Sequence, residues 1–130
     1  MTEHAETIAF RPRQRRTQAR VKRRRRQLAE RRPARVARRL ALAHRIAADI
    51  EAGRYKDYAD VARRHGLTRA RLTQLMNLLL LAPDIQEEVL ALEFPVGREP
   101  VTERTLRRVL ASLCWEDQRA AWGEIWPDKA

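Results

Sequence analysis

Apolar residues recur over residues 58–79 with the spacing of two short helices that meet at a tight turn. Ala62 is small enough for a close approach of the two backbones, and Gly66 follows where the chain must turn through a left-handed conformation. Thr68 then suits the N-cap of the second helix. The apolar face of that helix has the spacing i, i+3, i+4 and i+7, with Leu72, Leu75, Met76 and Leu79. The pattern predicts a helix-turn-helix.

The opposite face of the second helix carries small, amide and guanidinium side chains that suit the major groove of DNA. Arginine pairs with guanine, glutamine or asparagine pairs with adenine, and alanine or threonine contacts the thymine methyl group. The alternative is an ordinary amphipathic helix whose polar face meets water. We predict base contacts from Thr68, Arg69, Ala70, Arg71, Thr73, Gln74 and Asn77.

A long scaffold helix is predicted before this motif, from Pro33 to Gly53. Its apolar residues recur at steps of four and three residues, at Val36, Leu40, Ala43, Ala47 and Ile50. Leu42 and Ile46 are expected to widen the apolar face. Asp57 is expected to cap the helix that follows, and Thr102 is expected to cap a later helix that begins at Glu103.

Three further helices are predicted after the motif, over residues 83–93, 103–113 and 115–126, with a loop over residues 94–100. Residues 78–81 are all leucine. We therefore expect the later helices to cover the end of the second helix of the helix-turn-helix. The residues expected to be buried are Ile85, Val89, Leu90, Leu92, Leu106, Val109, Leu110 and Leu113. The predicted fold class is therefore all-α, with five or six helices.

Three tryptophans, Trp115, Trp122 and Trp126, fall on one narrow stripe of the last predicted helix. A place in the core is the first interpretation of such a stripe. The alternative is a homodimer contact, because rigid aromatic side chains make good interface anchors.

The charge of the chain is concentrated in its first half. The chain has 130 residues and a net charge of +11, and residues 1–65 carry 20 Lys and Arg against 7 Asp and Glu. Residues 66–130 carry 8 against 10. A basic half joined to a slightly acidic half predicts a polyanionic partner, of which nucleic acid is the commonest.

Residues 1–32 are predicted to be a disordered, arginine-rich arm, and residues 33–130 a helical DNA-binding domain. Lys and Arg make up 12 of the 22 residues from 11 to 32, so the segment repels itself and cannot fold alone. The alternative for the arm is a solvated basic tail or localisation tract. The alternative for Arg104, Arg107 and Arg108 is a solvated helix face. The predicted phosphate contacts are Arg23, Arg24, Arg25, Arg26, Arg31, Arg32, Arg38, Arg39, Arg104 and Arg108.

The sequence gives no sign of catalysis, of a cofactor or of a metal site. Cys114 is the single cysteine, and His4, His44 and His65 lie apart without acids at metal-ligand spacing. There is no phosphate-binding glycine loop, and no apolar run approaches the length of a membrane span. We expect a cytoplasmic, nucleoid-associated protein that is not an enzyme and does not enter a membrane.

Residues from about 56 to 122 resemble the helix-turn-helix domain of the ParB/KorB partition-protein family. The similarity lies in YADVARRHGLTRARLTQLMNLLLLAPDIQEEVLAL and in TERTLRRVLASLCWEDQRAAW. The resemblance implies that residues 68–77 contact an operator and that the helix after Thr102 adds contacts. By the same resemblance, Asp117 and Gln118 correspond to a D-x-Q-like stretch near a short helix of the family. The family's N-terminal nucleotide-binding domain has no counterpart, and the basic arm stands in its place.

The sequence therefore predicts a sequence-specific protein for double-stranded DNA, such as a transcriptional regulator or an accessory factor of a mobile element. Two alternatives belong to other classes of binding protein. One is an RNA-binding protein that acts through the arginine-rich arm. The other is a helical adaptor whose tryptophan helix binds another protein.

Overall fold

The structure is a computed structural model, and it describes residues 15–26 and 30–127. This part of the chain is mostly helical, as expected for the all-α class, with one small two-stranded sheet. The helices are α1 (residues 15–26), α2 (Arg35–Glu51), α3 (Tyr58–His65), α4 (Arg69–Met76), α5 (Pro83–Leu90), α6 (Glu103–Val109) and α7 (Trp115–Ile125). A 3₁₀ helix spans Asn77–Leu80, and the strands are β1 (Arg31–Pro33) and β2 (Glu93–Pro95).

The contacts divide the chain into two units, and the first comprises Met1–Arg32 and Phe94–Arg98. Its described part contains α1 and most of the ladder between β1 and β2. Eight of the 12 residues of α1 are Lys or Arg, and the helix is exposed along its whole length. Disorder of the predicted arm is not confirmed, because residues 15–26 are helical and β1 is a strand. The remaining arm residues, 1–14 and 27–29, lie outside the described residues.

The second unit, Pro33–Glu93 with Glu99–Ala130, is built around α2. This helix packs against α4, the 3₁₀ helix and α5. Of the predicted stripe, Val36, Leu40 and Ala43 are buried together with Ala37 and Ile46, whereas Ala47 and Ile50 are half-buried. Leu42, which was expected to widen this apolar face, is 37% exposed. No side chain of Ala34 can cap α2, and Glu99 instead accepts a hydrogen bond from the Arg35 N–H at 2.8 Å.

Helices α3 and α4 are joined by a short turn, and both begin at the predicted capping residues. Asp57 accepts a hydrogen bond from the Asp60 N–H at 2.9 Å, and Thr68 accepts one from the Arg71 N–H at 3.1 Å. Gly66 ends α3 in the left-handed conformation, with φ 66° and ψ 30°. Three local features of the sequence therefore fix the angle at which the chain enters α4.

The end of α4 differs from the sequence expectation. The helix stops at Met76 and tightens into the 3₁₀ helix, because the chain must become extended at Leu81 before Pro83 begins α5. Leu78 and Leu81 are buried, whereas Leu80 is 47% exposed. The prediction that later helices cover this leucine run is therefore wrong for Leu80.

Helices α5 and α6 are both shorter than predicted. α5 ends at Leu90, which is 43% exposed, and residues expected to be helix and loop form β2 instead. α6 opens with a capping box between Thr102 and Thr105 and ends at Val109. Leu113 therefore lies beyond the helix and is 67% exposed, and its predicted burial is wrong.

In α7 the buried face is formed by Gln118 and Trp122 rather than by all three tryptophans. Trp115 is 49% exposed, so its interpretation as a core residue is wrong. Gln118 accepts a hydrogen bond from the Ala82 N–H at 2.8 Å and donates to the carbonyls of Leu80 and Ser112. This amide satisfies three backbone groups, so α7 is held to the start of α5 by polar contacts as well as by packing.

Candidate nucleic-acid interface

The outward face of α4 is exposed to solvent. The side chains on it are those predicted to contact bases, namely Thr68, Arg69, Ala70, Thr73, Gln74 and Asn77. The opposite face, with Leu72, Leu75 and Met76, is buried. The later segments of this unit therefore leave the polar face of α4 accessible.

Arg71 is held differently from its neighbours on α4. Its Nη1 donates to both carboxylate oxygens of Glu103, at 2.9 Å each. The Arg71 side chain is 33% exposed, whereas that of Glu103 is only 6% exposed. The ion pair therefore joins the first turn of α4 to the first turn of α6.

Two further arginines approach the same carboxylate. Nη1 of Arg39, on α2, and Nη2 of Arg107, on α6, each lie 3.5 Å from Oε2 of Glu103. One negative charge is thus surrounded by three positive charges from three helices, which leaves an excess of two. We call Arg39, Arg71, Arg107 and Glu103 the arginine cluster.

A cleft of about 250 Å³ lies beside the arginine cluster, at the end of α4. It is lined by Gln74, Asn77, Leu78, Leu80, Arg107, Leu110 and Leu113. Nη2 of Arg107 lies 3.5 Å from Oε1 of Gln74, at the outer limit of a hydrogen bond. Amide groups and a guanidinium at the edge of an apolar cleft can hold a group that forms hydrogen bonds on one side and is apolar on the other.

The residues predicted to contact phosphate fall into several places. Arg23, Arg24, Arg25 and Arg26 lie on the exposed helix α1, and Arg31 is exposed on β1. Arg32 pairs with Glu30 at 3.1 Å. In the second unit, Arg38, Arg104 and Arg108 are exposed and form no ion pair with the described residues. Arg39 belongs to the arginine cluster.

Asp60 is the second buried carboxylate of this unit, with 3% of its surface exposed. It accepts hydrogen bonds from the Lys56 N–H at 3.1 Å and from Arg63 at 2.7 Å, and Arg64 lies 3.2 Å away. The Lys56 N–H, followed by the Arg63 guanidinium, holds the pKa of this carboxyl below its usual range. Asp60 thereby ties the segment before α3 to the middle of that helix.

Glu103 was not among the residues predicted to form the site, and Arg71 was predicted to contact bases. Glu103 follows the capping residue Thr102, and an acid in that position has an ordinary local explanation in the helix dipole. The arginines that surround it lie 64 and 32 residues earlier in the chain for Arg39 and Arg71. Only Arg107, four residues later, was within reach of a local argument.

Comparisons with models of known protein families, with curated proteins and with solved structures gave no match to this chain. Among the described residues, no group of three or more His, Cys, Asp or Glu is arranged to hold a metal ion. None of the helices described is both long and apolar enough to cross a membrane.

Proposed function

We propose that this protein binds double-stranded DNA in a sequence-specific manner, with α3 and α4 as a helix-turn-helix and α4 as its recognition helix. The observation that carries the proposal is the division of α4 into a buried apolar face and an exposed face of small, amide and guanidinium side chains. A helix in the major groove needs such a face, because hydrogen bonds to base edges are what distinguish one sequence from another.

The exposed residues of α4 have different roles in this proposal. Arg69, Gln74 and Asn77 carry the hydrogen-bonding groups that suit guanine and adenine. Ala70 and Thr73 can lie against a thymine methyl group, and the Thr73 hydroxyl already donates to the Arg69 carbonyl at 2.9 Å, which leaves its methyl group for that contact. The leucines of the cleft extend the apolar part of this surface beyond Asn77.

Helix α1 supplies affinity without sequence preference in this proposal. Its basic residues form one exposed surface, and each cation that settles beside a phosphate releases a condensed counterion. Such binding weakens steeply as salt is added. The resemblance to the ParB/KorB family and a place on the nucleoid are part of the same proposal, and both depend on DNA binding.

A homodimer through α7 is also part of the proposal, with fewer tryptophans at the contact than the sequence predicted. Trp122 belongs to the core, so the contact would use Trp115, which is 49% exposed. Sedimentation of the protein and of a Trp115→Ser variant tests this contact. A monomer at micromolar concentration in both cases contradicts it.

Selection of binding sites from a pool of random duplexes tests the proposal directly. We expect one preferred site, and the double variant Gln74→Ala, Asn77→Ala should lose about 1 to 3 kcal/mol of discrimination per base contact there. Its affinity for random duplex should change little. Gln18→Ala, which removes an exposed amide from α1, is the matched control. A preference unchanged in the double variant would show that α4 does not contact the bases.

Replacing Arg23, Arg24, Arg25 and Arg26 by glutamine separates this function from RNA binding. For a DNA-binding protein, affinity for specific and random duplexes should fall together. The slope of log affinity against log salt concentration should flatten by about 0.9 for each phosphate that the variant no longer neutralises. An RNA-binding protein would instead prefer a structured RNA over the selected duplex and lose that preference in this variant. That result would favour the RNA alternative.

A further inference from the structure

We propose that Arg39, Arg71 and Arg107 together bind one phosphate of the nucleic-acid backbone and that Glu103 is the positioning residue that holds them in place. The proposal rests on the proposed DNA-binding function and adds a defined phosphate site to it. It also moves Arg71 from the residues that contact bases to those that contact the backbone.

The geometry of the arginine cluster supports this assignment. Glu103 fixes Arg71 through two hydrogen bonds of 2.9 Å and holds Arg39 and Arg107 at 3.5 Å. The carboxylate itself is buried, with 6% of its side chain exposed, so it cannot turn away toward water. The three arginines are 40%, 33% and 52% exposed in chain order, so each guanidinium also reaches solvent.

The donors of the arginine cluster outnumber its acceptors. Each guanidinium has five N–H groups, whereas Glu103 offers two oxygens, so N–H groups remain on the solvent side of every arginine. Guanidinium groups bind phosphate oxygens in the same forked geometry in which they bind carboxylates. A phosphate placed over the three arginines would lower the excess of positive charge that one carboxylate leaves, from two to one.

A purely structural ion pair does not explain three arginines on one acid. Arg119 and Asp84 pair one cation with one anion at 2.9 Å. Asp60 holds two arginines, but both belong to its own helix. Arg71 alone would balance Glu103, and the second and third arginines add mutual repulsion in a region that is only partly hydrated. A backbone phosphate, which carries one negative charge, offsets that repulsion when it binds. Because Arg71 lies in the first turn of α4, the same contact sets the position of the recognition helix on the duplex.

Neutralising one backbone phosphate at a time tests the proposal. The selected duplex is prepared with a methylphosphonate, which has no charge, at each linkage in turn. For the wild-type protein we expect one linkage at which this change weakens binding about tenfold. The Arg71→Gln and Glu103→Gln variants should bind more weakly from the start, and the same methylphosphonate should then cost each of them less than about twofold.

Arg119→Gln is the matched control, because it removes an arginine from an ion pair outside the cluster. It should keep the full effect of the methylphosphonate. The preference for the selected sequence should also stay unchanged in Arg71→Gln, because a backbone contact carries no sequence information. A merely structural role of Glu103 would weaken binding at all linkages without removing the effect at one of them.

Two results would overturn the proposal. One is that no methylphosphonate effect depends on Arg71, and the other is that Arg71→Gln changes the preferred base at one position. If circular dichroism shows Glu103→Gln to be unfolded, Arg71→Gln decides alone, since that side chain is partly exposed. Failure to select any site would overturn the proposed function together with this inference, whereas a selected site without the Arg71-dependent linkage would overturn this inference only.

Discussion

Asp60 and Glu103 are both buried carboxylates that hold arginines, but they recruit them from different parts of the chain. Asp60 takes its partners from the eight residues around it, through the Lys56 N–H, Arg63 and Arg64. Glu103 takes Arg39 from α2, Arg71 from α4 and Arg107 from its own helix. The first network can form once α3 forms, whereas the second requires three helices to be packed.

Of the two carboxylates, Glu103 has the larger influence on the candidate interface. Asp60 stabilises the start of α3, which supports the turn into α4 from one side. Glu103 links α4 to two other helices, so a change there alters the setting of the exposed face. Measurements of the free energy of unfolding should separate the local role of Asp60 from the tertiary role of Glu103. A network that forms only when helices pack contributes little to the stability of an isolated segment.

Glu103→Gln is expected to have the largest effect of the changes considered, a loss of about 2 kcal/mol in the free energy of unfolding. Removing one member of a buried ion pair can cost more, but the arginines left behind are partly exposed and water can solvate them. Urea denaturation measures the loss, with the exposed Glu87→Gln as control. Equal midpoints for the two variants would show that the arginine cluster contributes nothing to folding.

Asp60→Asn is expected to have a smaller effect that depends on pH. The pKa of this carboxyl is held below its ordinary value of 3.8, chiefly by the Lys56 N–H and then by Arg63, so the folded state favours the charged form. The stabilisation is therefore fully present above that value and is lost as the pH falls through the lower pKa of the folded state. Urea midpoints of wild type and variant should differ most near neutral pH and begin to converge once the pH falls below about 3.8. A difference that grows on acidification would contradict the assignment.

Arg119→Gln is expected to have the smallest effect. The Arg119 guanidinium donates to Asp84 at 2.9 Å and 3.3 Å and lowers the pKa of that carboxyl, yet both side chains are about half exposed. Exposed ion pairs contribute little, because water and salt screen them. The thermal midpoint at physiological salt should match that of wild type. A shift as large as that of Glu103→Gln would remove the distinction between local and tertiary networks.

The parts of the fold that depend on local chemistry were predictable from the sequence. Asp57, Thr68 and Thr102 cap the helices that they were expected to cap, and Gly66 has the left-handed conformation that the turn requires. The buried and exposed faces of α4 also follow from its periodicity. Each of these features is decided by groups within four or five residues of one another.

The errors concern how much of each apolar face is covered. Leu80, Leu113 and Trp115 fit helical stripes, yet they are among the most exposed large apolar side chains described. Periodicity indicates which side of a helix is apolar, but it does not indicate where a neighbouring helix ends. Leu80 lies where α4 gives way to a 3₁₀ helix, and Leu113 lies beyond Val109, where α6 stops, so the predicted helical stripes do not continue through these two residues.

The helical class, the caps, the turn between α3 and α4 and the polar face of α4 follow from the sequence. They depend on side chains and backbone groups that are close together in the chain. Only the packing of helices brings Arg71 and Arg39 to Glu103, where Arg107 already lies four residues along the same helix, and only packing lets Gln118 secure α7. Contacts between residues more than 30 positions apart depend on how helices pack against one another. No local pattern of residues carries that information.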